Sequence, residues 1–119
     1  MGSASFTKEQ RLLKPAHFEY VFQDATPAAS PHITVLARLN SNNSAPRLGI
    51  TIPKKKVKLA VQRNRIKRLV RESFRLYADQ LPNADIIVIG KSGIGDMQNN
   101  QITDLLEKQW RKIVKRCKS

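Results

Sequence analysis

Residues 84–90, ADIIVIG, are an apolar run closed off by turn residues at either end, Leu81, Pro82 and Asn83 before it and a Gly-containing loop over 91–99 after it. A run of that length and composition reads as a strand buried on both faces. What precedes it fixes the local topology. Over 60–77, at 100° per residue, Ile66, Leu69, Val70, Ser73 and Tyr77 fall on one side of a helix, and Asn64, Arg68, Arg71 and Arg75 form a stripe almost opposite. Before the helix, 47–53 alternates Leu48, Ile50 and Ile52 against Arg47, Gly49 and Thr51, the pattern of a half-buried strand. Strand, helix and strand in that order imply a parallel pair, because only a crossover can return the chain in the same direction.

The remaining elements follow from the same periodicities. Pro15 suits a first helical position, and 16–22 continues as a short helix in which Phe18 and Phe22 share a face beside Val21. Spacing alone makes the two phenylalanines a core stripe. Residues 24–31 hold two prolines and leave room for at most a short strand. Residues 33–39 alternate Ile33, Val35, Ala37 and Leu39 with Thr34, Leu36 and Arg38. The turn cluster at 41–46 then makes an antiparallel hairpin with 47–53 the simplest pairing. The polar side of that hairpin, with Thr34, Arg38, Arg47, Gly49 and Thr51, is either solvated or an open binding surface. Asn99 or Asn100 is positioned to cap a last helix, on which Ile102, Leu105, Leu106, Gln109, Trp110, Ile113 and Val114 recur at helical spacing and whose other face is mixed, then basic.

A chain of 119 residues with 40% hydrophobic content is one domain able to fold without metal or disulfide support. Residues 1–7 are expected to be a disordered N-terminus or a cloning remnant, and 8–119 the domain. The one cysteine, Cys117, cannot form an internal disulfide. With no apolar run of membrane-spanning length and no apolar signal core, a cytoplasmic setting is expected. Charge is the dominant compositional fact. Lys and Arg number 22 against nine acids, for a net +13. Residues 54–75 alone hold ten bases (Lys54, Lys55, Lys56, Lys58, Arg63, Arg65, Lys67, Arg68, Arg71, Arg75) and one acid, Glu72, a net +9. That exceeds what solubility asks of one helix and points to a polyanion.

Catalytic machinery is not evident. His17 and His32 are far apart and have no ligand-type partner at helical spacing, no Cys/His cluster has metal-binding spacing, and the acids are scattered. Nothing marks a serine or cysteine nucleophile with its base. Gly93-Ile94-Gly95 is too short for a phosphate loop.

The strings RLGITIPKK (47–55) and AVQRNRIKRLVRESFR (60–75) resemble the signature of the protein subunit of bacterial ribonuclease P, and the resemblance runs from about Arg11 into the last helix. It implies a single-domain α+β sandwich with a roughly four-stranded mixed sheet and three helices. The implied fold is similar to the second domain of ribosomal protein S5, with a left-handed crossover where the general rule expects a right-handed one. It further implies a protein that binds a large catalytic RNA, which with Mg²⁺ removes the 5′ leader of precursor tRNA. No metal or cofactor is then bound by the protein itself, no membrane is involved, and one monomer accompanies one RNA. By the same resemblance Lys54, Lys55, Lys56, Arg63, Asn64, Arg65, Lys67, Arg68, Arg71 and Arg75 face the RNA subunit and the substrate. Phe18, Phe22, Arg47, Thr51 and Arg11 border a cleft for the single-stranded leader, where aromatic platforms beside bases suit sequence-tolerant binding. The pattern departs at Pro53, which lacks an amide for a ladder bond, so the strand should end there and leave 54–58 as a looser basic loop.

The mechanism these residues suit is electrostatic: a small cation between two polyanions lowers their repulsion while its arginines fork onto phosphates. A structural ribosomal-type RNA-binding protein and an unaided protein nuclease are the alternatives.

Overall fold

The computed structural model describes residues 11, 15–40 and 45–117. In chain order these form α1 (Pro15–Gln23), β1 (Thr26–Ala28), β2 (Ile33–Leu39), β3 (Arg47–Thr51), α2 (Ala60–Tyr77), β4 (Ala84–Gly90) and α3 (Asn99–Cys117), with short 3₁₀ turns at Ala78–Gln80 and Ile94–Asp96. The four strands make one mixed sheet in the order β1-β2-β4-β3. β4 runs parallel to β3 and antiparallel to β2. The parallel β3-α2-β4 unit expected from the sequence is present.

The expected hairpin between 33–39 and 47–53 is not. β4 lies between the two strands, pairing Val35 with Val88 on one side and Val88 with Ile50 on the other. The reason is burial. β2 and β3 each alternate and tolerate a more open position, whereas β4 carries Ile86, Ile87 and Val88 with both faces covered and belongs at the centre.

One face of the sheet packs against α2 and α3. Ile33, Val35, Ala37, Leu48, Ile86 and Val88 meet Ile66, Val70 and Phe74 of α2 and Ile102, Leu106, Trp110 and Ile113 of α3. Each such large side chain, fully buried, contributes about 1.5–3 kcal/mol relative to exposure. Phe74 was absent from the helical face read from spacing, yet it is fully buried, its ring edge-on to Trp110 with centroids 6.1 Å apart. Two polar side chains lock the layers. Trp110 Nε1 donates to Ser73 Oγ at 2.8 Å, tying α3 to α2. The buried Gln109 donates through Nε2 to the carbonyls of Ala28 and Ile33, each at 3.0 Å, tying α3 to β1 and β2. The other face of the sheet carries α1, with Val21 and Ile87 fully buried and Phe18, Tyr20, Leu36 and Ile89 packed round them.

Helix ends show why the boundaries fall where they do. β3 stops at Thr51, and 54–56 is a turn before α2, as Pro53 implied. α2 starts after Leu59 with no side-chain cap, and instead Arg63 Nη1 donates to the carbonyls of Val57 and Lys58 at 2.9 and 2.8 Å. The start of α3 is bonded by Gln101 rather than by either expected asparagine, its Oε1 accepting from the Gln98 amide at 2.8 Å. At the other end of α3, burial pushes the Cys117 thiol pKa up, partly offset by a hydrogen bond with Thr26.

Candidate nucleic-acid interface

The 54–75 stretch divides into three structural roles. Asn64, Arg68 and Arg71 are exposed on the side of α2 opposite Ile66, Val70 and Phe74, and none bonds to another described residue. Lys54, Lys55 and Lys56 are exposed on the turn that leads into the helix. The positive end of the α2 macrodipole opens among these lysines, with no acid in the first turn to offset it. Lys67 is half-buried on the flank.

Arg63, Arg65 and Arg75, by contrast, are used within the fold. Arg63 closes the loop before α2, as described above. Arg65 donates to Gln62 Oε1 at 2.9 Å, to Asn99 Oδ1 at 2.6 Å and to the Gly95 carbonyl at 3.0 Å, which pins the N-terminal half of α2 to the start of α3. Arg75 pairs with Glu72 one turn back. Arg65, which the resemblance turns toward the RNA, is thus also engaged within the fold. A helical wheel places it on the flank, but two of the three groups it reaches are 30 and 34 residues away in sequence.

The second surface is the α1 side of the sheet. Strand register sets three cross-sheet rows there: Thr51, Ile89 and Thr34; Gly49, Ile87 and Leu36; Arg47, Asp85 and Arg38. α1 covers part of the middle row through Val21. Phe18 and Phe22 do not share one environment. Phe18 is half-buried against the sheet and Phe22 is 54% exposed. Thr51 is exposed at the end of β3, and Arg11, also exposed, makes an isolated parallel bridge to Leu48 on the strand's outer edge. The structure thus brings Arg11 and Thr51 to one edge strand, with Thr51 in a row on the α1 side and Arg11 in register with Leu48, whose side chain enters the core on the other face. Lys54–Lys56 follow directly from that strand, whereas the exposed α2 stripe lies beyond the opposite face.

Arg47 occupies the polar row but is committed elsewhere. It holds Asp85 in a two-pronged pair, Nε to Oδ1 and Nη2 to Oδ2, both at 2.9 Å, and Asn40 Nδ2 donates to the same Oδ2 at 3.1 Å. The Asp85 side chain is 1% exposed and that of Arg47 22%. On the far side of the row, the Arg38 guanidinium stacks 3.9 Å over the Tyr20 ring and donates to the Tyr20 carbonyl, while Tyr20 Oη donates to the Leu39 carbonyl. These contacts dock the C-terminal half of α1 on β2. Sequence reasoning missed Asp85 and Tyr20. The one signal for Asp85 was a lone acid inside an apolar run, which a buried partner must neutralise.

Chemically the two surfaces offer charge, forked donors and one exposed ring, and the described residues contain no group of three or more His, Cys, Asp or Glu that could hold a metal ion. No described helix is long and apolar enough to cross a membrane.

Comparison with known proteins bears on what such surfaces meet. The sequence profile of the Ribonuclease P family matches residues 6–114. The ribonuclease P protein component of Pseudoalteromonas atlantica is 56% identical over 117 residues, 98% of this chain and 97% of the relative. Among solved structures, the RNase P protein of Staphylococcus aureus superposes with a TM-score of 0.81 at 35% identity, covering 89% of this chain and 95% of that one. The RNase P protein of Thermotoga maritima does so with a TM-score of 0.76 at 28% identity, covering 87% and 96%.

Proposed function

Since the chain belongs to the ribonuclease P protein component family, and so is a protein subunit of an endoribonuclease of tRNA processing, we propose that it works by holding two RNAs together. The exposed stripe of α2, with Asn64, Arg68 and Arg71, and the lysine turn 54–56 engage the catalytic RNA subunit. The surface beside α1, with Phe22 and Thr51, takes the single-stranded 5′ leader of precursor tRNA, and Arg11 at the outer edge of β3 flanks it.

The observation that carries this reading is the α2 stripe. Three side chains on one side of a helix, two of them guanidinium forks, are exposed and unspent by the fold. Forked donors match phosphate geometry, and Asn64 adds a directed hydrogen bond without charge. At the α1 surface, the exposed ring of Phe22 offers a base a stacking face, and such stacking is worth about 1–3 kcal/mol per base without regard to sequence. Phe18, four residues earlier on the same helix, packs toward the sheet.

Hydrolysis itself is assigned to the RNA with Mg²⁺. Among the described residues these surfaces are cationic, and on this proposal RNA phosphates supply the oxygen ligands that a hard cation prefers. The protein contributes charge between two polyanions, as a monomer with one RNA, in the cytoplasm.

Reconstitution tests the proposal. With a catalytic RNA subunit, precursor tRNA cleavage at limiting Mg²⁺ should be accelerated by this protein, and an Arg68→Ala, Arg71→Ala double variant should lose most of that effect while folding normally. Equal cleavage with and without the protein would refute the reading, and cleavage by the protein freed of RNA would establish a protein nuclease instead.

A further inference from the structure

α2 and α3 run side by side in the same direction. Arg65 near the start of α2 reaches Asn99 at the start of α3, Ser73 meets Trp110 further along, and Tyr77 at the end of α2 shares a groove with the last turns of α3. That groove, about 540 Å³ in volume, is lined by Tyr77, Lys108, Arg111, Lys112, Val114 and Lys115. The four bases are all exposed, sit at i, i+3, i+4 and i+7 opposite the buried Leu106, Trp110 and Ile113, and bond to no other described residue. At 1.5 Å per residue they extend about 10 Å along the helix.

A solvated helix end does not account for this stripe. Bases complement the macrodipole only within the last turn, yet Lys108, Arg111 and Lys112 lie five to nine residues before the end at Cys117. Asp104 and Glu107 stand on the outer side nearer the start of the helix, and from 108 to 117 there is no acid. The floor is apolar, with a half-buried tyrosine ring. Bases over an aromatic floor match a phosphate backbone with one base laid on the ring.

The placement chooses between RNAs. Both outer stripes belong to the helix layer on one side of the sheet, whereas α1 and Phe22 lie on the other. Because the helices are parallel and Ser73 meets Trp110, the α3 stripe begins about level with Arg71, where the α2 stripe ends, and runs on past Tyr77. We propose that Lys108, Arg111, Lys112 and Lys115, with Tyr77, form a second docking surface for the catalytic RNA subunit, continuing the path begun at Asn64, Arg68 and Arg71. This rests on the functional reading above, and the leader is excluded by the intervening sheet.

The test uses the full chain with Lys108, Arg111, Lys112 and Lys115 all changed to alanine, bound to the catalytic RNA subunit over a range of KCl and footprinted with hydroxyl radicals. With each phosphate contact contributing roughly 0.7–0.9 to the slope of log K against log salt, loss of about three contacts should lower the slope by about two and the affinity by roughly tenfold or more at low salt. One protected RNA segment should disappear while that protected by the α2 stripe stays. Should the quadruple variant misfold by circular dichroism, the double variant Lys108→Gln, Lys112→Gln at exposed positions carries the same test with about half the slope change. A folded variant with the wild-type slope and footprint overturns this inference alone. So does a variant that keeps RNA-subunit affinity and loses precursor tRNA. A flat salt dependence of the wild type would instead overturn the functional reading beneath it.

Discussion

Arginines of the same helix have different duties here, and the difference is measurable. Arg65→Ala removes three charge-assisted hydrogen bonds, one within α2 to Gln62 and two that tie α2 to Gly95 and to Asn99 at the start of α3, and should lower unfolding stability by about 1–2 kcal/mol in urea titrations. Arg68→Ala and Arg71→Ala, at exposed and unbonded positions, should stay within about 0.5 kcal/mol of wild type and lose RNA affinity instead. Arg68→Lys should regain only part of that affinity, because an ammonium cannot fork. Arg47 follows Arg65 rather than Arg68. Its removal leaves the Asp85 carboxylate, almost fully enclosed, without its cation, and breaking a buried pair in this way typically costs about 3–5 kcal/mol. An Arg47→Ala protein that melts like wild type but fails to bind leader would return Arg47 to the RNA surface.

Among the elements, α1 carries the sharpest contrast. Val21 is fully buried against Ile87, while Phe22 beside it is half exposed. Phe22→Ala should therefore weaken leader binding by about 1–3 kcal/mol with little change in melting, and Val21→Ala should do the reverse. Calorimetry alongside leader-binding fluorescence separates the two, and a large stability loss at Phe22 with leader affinity unchanged would restore a packing role. The contrast also marks the limit of what spacing reveals. The three helices and the strands β2, β3 and β4 were legible from periodicity, as were the parallel pair and the end of β3 before Pro53, whereas the two-proline stretch 24–31 left room for β1 without marking it. Strand order was not read, because alternation reports how each strand is buried and says nothing of its neighbour. The clue lay in comparing strands: β2 and β3 each carry a polar side, and β4 has Ile86, Ile87 and Val88 enclosed on both. The α2 stripe was legible because Asn64, Arg68 and Arg71 are exposed at helical spacing. The engagements of Arg47 and Arg65 were not, since their partners arrive through the fold from 30 or more residues away.

At the scale of the molecule, a net charge of +13 on 119 residues makes association with RNA a counterion-release process. Five or six phosphate contacts imply a slope of roughly −4 to −5 in log K against log salt, so affinity should fall by several hundredfold or more between 50 and 200 mM KCl. Binding titrations at four or five salt concentrations would check it, and a slope near zero would contradict the phosphate-clamp account. The sheet order has a temporal consequence as well. β4, the strand that joins β2 to β3, is the last of the four to leave the ribosome. Until residue 90 has been made, β1-β2 and β3 are separate pieces, each with an open edge able to pair with other chains. α2 meanwhile is already synthesised, with its bases in place and its apolar face still waiting for the sheet. The fold must then close by long-range pairing in one late event, which favours slow, cooperative folding and leaves a stalled nascent chain prone to aggregate.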